Sequence, residues 1–182
     1  LRLTGALHAL VLAGKCPDLA AIYPPNPMPS AENLSKCLGQ TLAQHDADIV
    51  DFLQHAPQTN EVARASVLLA GLSTIAQQTN QPLALFEIGA SGGLNLNLDR
   101  FSCQMGPSHL GDPESTVTLA PSWQGSAPTH MPNIAVRHGC DLNPIHIKDE
   151  TQATRLLSYI WPDQPDRLSR TRAAIALARQ NP

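Results

Sequence analysis

The chain has 182 residues, of which 42% are hydrophobic, 15% charged and only 4% aromatic, enough for one domain whose core rests on Leu, Ala, Ile and Val. A formal net charge of -3 gives no broad attraction to phosphate backbones or anionic membranes, which sets nucleic acid and membranes aside as partners. Cys16, Cys37, Cys103 and Cys140 form no CxxC pair and the histidines form no HxH or HExxH pattern, so no metal is expected, and the thiols are read as reduced and cytoplasmic.

Leu3, Leu7, Leu10 and Val11 recur at helical spacing. The apolar start is therefore expected to be a buried helix rather than a secretory leader, and Lys15 interrupts the lipoprotein-like box before Cys16. No apolar run approaches the roughly 20 residues of a membrane span. With no initiating Met, the chain is expected to begin inside a longer one. The prolines from Tyr23 to Pro29 impose an extended loop, after which Ser30 can cap a helix. Leu34, Leu38, Leu42, Ile49, Phe52 and Leu53 form one helical stripe closed by Pro57. Thr59 or Asn60 can cap the next helix, which turns Val62, Ser66, Leu69, Leu72, Ile75 and Ala76 inward and ends at Thr79-Asn80. Residues 1–80 thus form a helical N-terminal part.

At Pro82 the period changes. Leu83 to Ile88 is a short continuous apolar run stopped by Gly89, which predicts a buried parallel strand. A helix of undefined length follows from Leu94. The Pro-, Gly- and Ser-rich stretch 102–132 is expected to be an inserted loop or hairpin, with Ser115 to Leu119 as a strand. Ile134 to Val136 leads a second strand into Asp141, and two helices, Thr151 to Ile160 and Asp166 to Ala178, finish the chain. Residues 81–182 are thereby expected to form a partial Rossmann-like α/β part, with an incomplete sheet whose edge is covered by later residues or by another copy of the chain.

Glu87-Ile88-Gly89-Ala90-Ser91-Gly92-Gly93 carries the chemistry. Glycines after a strand let the backbone turn sharply, and amides at the following helix start can bind an anion or a carboxylate. An acid at the end of the neighbouring strand takes ribose hydroxyls in dinucleotide folds, and Asp141 sits where one is wanted. It lies 54 positions beyond Glu87 rather than the roughly 20 expected, which the insertion must explain. Glu87 and Asp141 are accordingly expected at the carboxyl ends of adjacent parallel strands. Gly89-Ala90-Ser91-Gly92-Gly93 also matches the GxSxG elbow of α/β-hydrolases, with Ser91 as nucleophile and Asp141 and His146 as partners. Those partners are only five apart, and three helices precede the strand, so the cradle is preferred. Asn60 and Glu61 are placed to reach a ligand or, the preferred reading, to act as capping groups; Asp99-Arg100 is read as a local ion pair or an anchor of the insertion, and Gly111-Asp112-Pro113 as plain turn chemistry.

The acid two positions before the first glycine resembles the first motif of S-adenosylmethionine-dependent methyltransferases, which implies a three-layer Rossmann-like fold and a cofactor held by Glu87, Gly89, Ser91, Gly93 and Asp141. Across most of the chain, Gln58-Thr59-Asn60-Glu61-Val62, Glu87 to Leu96, Asp99-Arg100-Phe101, Leu110-Gly111-Asp112-Pro113, Gly139 to Pro144 and Ile160-Trp161-Pro162-Asp163-Gln164 resemble an uncharacterised bacterial family, domain of unknown function number 2332. That resemblance brings no activity with it, and it implies that members continue beyond the end of this chain. The expectation is a small-molecule-binding protein: a methyltransferase-like one with no acceptor or catalytic residue identified, or a non-catalytic binding or interaction protein on the same fold, with the serine hydrolase third.

Overall fold

The computed structural model describes residues 1–181. In chain order the elements are α1 (Arg2–Leu12), α2 (Pro17–Ile22), α3 (Ala31–Gln44), α4 (Asp46–Leu53), α5 (Arg64–Thr79), β1 (Leu83–Ile88), a 3-10 helix (Leu94–Arg100), β2 (Ser102–Met105), β3 (Ser108–Leu110), β4 (Thr118–Leu119), β5 (Ile134–Cys140), α6 (Glu150–Ser158) and α7 (Pro165–Gln180). The fold is mixed α/β, with helices and two small sheets. Among the described residues no helix is long and apolar enough to cross a membrane. The chain groups into two units, Leu1–Thr59 with Asp149–Leu168, and residues 60–148 with those from 169 on. Helix α5, on the helical side of the pattern change at residue 80, groups with the strands.

The first unit is helical. Ala6, Leu7 and Leu10 of α1 bury against Leu19, Ile49, Phe52 and Tyr159, which follows from their helical spacing. Phe52 and Tyr159 meet in a tilted ring pair 5.6 Å apart. Gly5 is required beside them, because a Cβ there would stand 2.9 Å from Tyr159 Cε1. Ser30 caps α3 as expected, its Oγ accepting from the Asn33 amide at 3.2 Å. The stripe from Leu34 to Leu53 is two helices rather than one. His45 leaves helical dihedrals (φ -118, ψ 26), and Asp46 and Asp48 then supply the acidic first turn of α4. Helix α2 was hidden in the sequence because six residues carry too little periodicity; Pro17 at its first position, where a missing N–H costs nothing, marks its start.

The second unit holds both sheets. Strands β1 and β5 pair in parallel, Glu87 opposite Gly139 and Ile88 opposite Cys140. This parallel sheet has two strands among the described residues, in keeping with the lack of any β-branched run beyond Pro144. The strand is not buried on both faces as its apolar run suggested. Leu83, Leu85 and Glu87 turn inward, whereas Phe86 and Ile88 are 68% and 90% exposed. Only one face of the pair is covered, so an apolar run need not mean two buried faces. Phe86 stacks instead on His138 of β5, ring centroids 5.5 Å apart.

Residues 102–132 are more than a loop. Strand β2 pairs antiparallel with β3 and parallel with β4, a hairpin turning at Gly106 (φ +56). The expected strand at Ser115–Leu119 shrinks to Thr118–Leu119. Phe101, Cys103, Met105, Leu110, Val117 and Leu119 are all buried, and burial holds the Cys103 thiol up at about 11. This insert separates the two acids along the chain. Its entry is anchored by Asp99, which pairs with Arg137 of β5 at 2.7 and 3.0 Å rather than with its neighbour Arg100. Arg137 also donates to the Leu96 carbonyl at 2.9 Å.

Both members of that forked pair are largely buried, so removing one leaves the other's polar atoms poorly solvated. Asp99→Ala is expected to cost about 2 kcal/mol in urea unfolding, with Asp99→Asn between it and the native chain. An Asp99→Ala midpoint equal to the native one would show that the pair contributes no more than a surface bridge.

Candidate functional site

The turn after β1 is built from alternating unusual dihedrals: Gly89 at φ +71, Ser91 at φ +52 and Gly93 at φ +67. Two are glycines, which adopt them freely; Ser91 does so at a cost of about 1 kcal/mol or more. What holds it is visible on both sides. Its amide donates to Asp141 Oδ2 at 2.8 Å, and its carbonyl accepts from the Ile145 amide at 3.1 Å. The other oxygen of Asp141 accepts from the Asn143 amide at 2.9 Å. As expected, Glu87 and Asp141 stand at the same end of adjacent parallel strands, with the glycine turn between them.

Four more of the turn's amides are also committed. Those of Gly89 and Ala90 donate to the Cys140 carbonyl at 2.8 and 3.1 Å, and that of Gly93 to Ala90 at 2.7 Å. The Leu94 amide donates to Asn60 Oδ1 at 3.1 Å. Five of the six amides from Gly89 to Leu94 are therefore spent within the protein. The expected anion-binding nest at a helix start is absent in that form, and the segment from Leu94 is a 3-10 helix rather than an α-helix.

Buried oxygens take the opposite position. Glu87 Oε2, Ser91 Oγ and Asn95 Oδ1 find no hydrogen-bond partner among the described residues, and Ser91 and Asn95 are 6% and 1% exposed. Burial pushes the Glu87 carboxyl above its ordinary 4.5, against the opposing pull of a hydrogen bond from Asn95 and the charge of Arg64. Asn95 in turn donates from Nδ2 to the Glu61 carbonyl at 3.4 Å. These unpartnered oxygens near the turn favour a ligand bearing N–H donors or positive charge.

Three contributors escaped the sequence. Asn60 does not cap α5, which starts four residues later; it reaches 34 residues along the chain to hold the turn. Gly139 has no side chain because a Cβ there would come 2.8 Å from that of Ala90 and 3.0 Å from Leu96 Cδ1, so the turn lies directly on β5. Arg170 of α7 stands 3.7 Å from Glu61. Only a glycine two residues before the acid hinted at any of these. For the elbow arrangement the geometry is unsuitable: the Ser91 hydroxyl is buried with no hydrogen-bond partner among the described residues, and Asp141 Oδ2 is taken by the Ser91 amide. Among the described residues no three His, Cys, Asp or Glu side chains gather as a metal-holding group.

A family model described as an uncharacterized protein conserved in bacteria (DUF2332) matches residues 1–182. No curated protein and no solved structure matches the chain.

Proposed function

The chain belongs to the bacterial family DUF2332, and we propose that its glycine turn, on a Rossmann-like sheet end, binds a nucleoside-type ligand without phosphate, S-adenosylmethionine being the cofactor whose groups suit it. One observation carries this reading: five of the turn's six amides are spent while buried carboxylate, amide and hydroxyl oxygens nearby are not. A pyrophosphate would find too few donors, whereas a ligand with an ammonium and a sulfonium meets acceptors. Glu87 and Asn95 would face the cationic end, Gly89 and Gly93 would let the backbone approach, and Ser91 and Asp141 would frame the opening. When bound, S-adenosylmethionine supplies a methyl group activated by its sulfonium; transfer asks mainly for a positioned acceptor.

Calorimetric titration separates the ligand classes. S-adenosylmethionine and S-adenosylhomocysteine are expected to bind, and at 100 times the dissociation constant to stabilise the protein by about 2.7 kcal/mol. Nicotinamide dinucleotides and ATP are expected not to. Tighter binding of NAD than of S-adenosylmethionine would refute the proposal.

The same site predicts a pH dependence. A folded-state carboxyl held above its ordinary value keeps its proton longer than in the unfolded chain, so stability falls as pH rises from 4.5 towards the folded value. A cationic ligand prefers the ionised form, so its affinity should rise with pH through the same window, with a proton released on binding. Glu87→Gln should flatten both curves; unchanged slopes would remove Glu87 from the site.

A second reading, non-catalytic binding, is favoured by Asp141, whose two oxygens are already occupied by backbone amides instead of awaiting ribose hydroxyls. Binding of S-adenosylmethionine without methyl release to any acceptor in a nucleophile panel would select it.

A further inference from the structure

In the first unit, α4 and α6 both pack on α1 and leave a cleft of about 380 Å³ over it, within the size range of small-molecule sites. Its floor is Ala6, Ala9 and Leu10 of α1 and Ala13 just after it, with Phe52 of α4, and the short alanines keep it open. The rim is charged in a specific way. Lys15 and Asp48 neutralise one another at 2.7 Å at one end. That leaves Asp51 on the α4 wall, and Glu150 and Arg155 on the α6 wall beside Thr151 and Thr154, the Arg155 charge also acting on Asp149 at the start of α6. An apolar floor under a rim that carries carboxylates and a guanidinium complements a molecule with an apolar body and both charges at one end. We propose that this cleft binds a small zwitterion with an apolar body, the chemical class of the apolar α-amino acids.

The test is equilibrium dialysis of the whole chain with L-leucine and L-phenylalanine, beside hexanoate and hexylamine, which carry one charge each. One amino acid per chain is expected to bind, with each single-charge analogue at least about tenfold weaker. Ala9→Leu should fill the cleft and abolish binding while leaving the urea midpoint in place, and Asp51→Asn and Arg155→Met should each weaken binding about tenfold. Absence of binding overturns the proposal, as does binding that survives Ala9→Leu, or hexanoate or hexylamine binding as well as leucine. Sedimentation adds one more overturning result: a dimer that Ala9→Leu dissociates would assign the cleft to a second copy of the chain.

Discussion

Gly111→Ala is expected to destabilise the second unit by about 3 to 5 kcal/mol, enough to leave much of the protein unfolded at modest urea. Gly111 follows β3 at φ +85, where an L side chain is strained, and a Cβ built there falls on the Phe101 carbonyl oxygen, with the Asp99 carbonyl at 3.4 Å. Neither obstacle is the end of a flexible side chain. Relief would require moving the backbone that carries buried Phe101 and the Asp99 pair to Arg137. Gly125 provides the control: it has the same φ of +85 but nothing within 4 Å of its hypothetical Cβ. Gly125→Ala should therefore cost only about 1 kcal/mol, the backbone strain alone. Equal urea midpoints for the two variants would show that the Phe101 backbone yields easily and that the close approach imposes nothing.

Leu94→Ala should follow closely, at about 3 kcal/mol, within the usual range for a buried leucine. Leu94 is fully buried, and its amide is the one held by Asn60, so the cavity would open under the glycine turn itself. Ligand affinity should fall with stability, because Gly93 and Asn95 are its immediate neighbours. Leu94→Met keeps the volume and should lose less than about 1.5 kcal/mol. If Leu94→Ala unfolds at the native urea midpoint, the turn is supported elsewhere, and Asn60→Ala becomes the variant that locates the support.

Features that depend on nearest neighbours were legible in the sequence. Gly89 and Gly93 announce positive dihedrals, Pro82 and the change of period mark β1, and Ser30 marks a helix start. The pairing of Glu87 and Asp141 could be anticipated because parallel strands bring their carboxyl ends to one side. Features that depend on contacts distant in sequence were not. Asn60 looks like an ordinary cap until Leu94 is placed against it, and Asp99 looks paired with Arg100 until β5 brings Arg137 closer. The amides of the turn looked available for an anion because the sequence does not say that Cys140, Asp141 and Asn60 will reach them first. Exposure of Phe86 and Ile88 was equally hidden, since an apolar run does not reveal how many faces will be covered.

The separation of β1 from β5 also shapes how the protein reaches its fold. Ser91 and Asp141 meet across 50 residues, so the turn is completed only after a long loop closes, and such closure is slow because its entropy is lost before any contact rewards it. The β2–β3 hairpin joins residues a few positions apart and has its own buried side chains, so it can form early and shorten the effective loop. The glycine turn would then be among the last parts to gain protection in refolding monitored by pulsed hydrogen exchange, with the Cys103 and Leu110 amides protected ahead of that of Ser91.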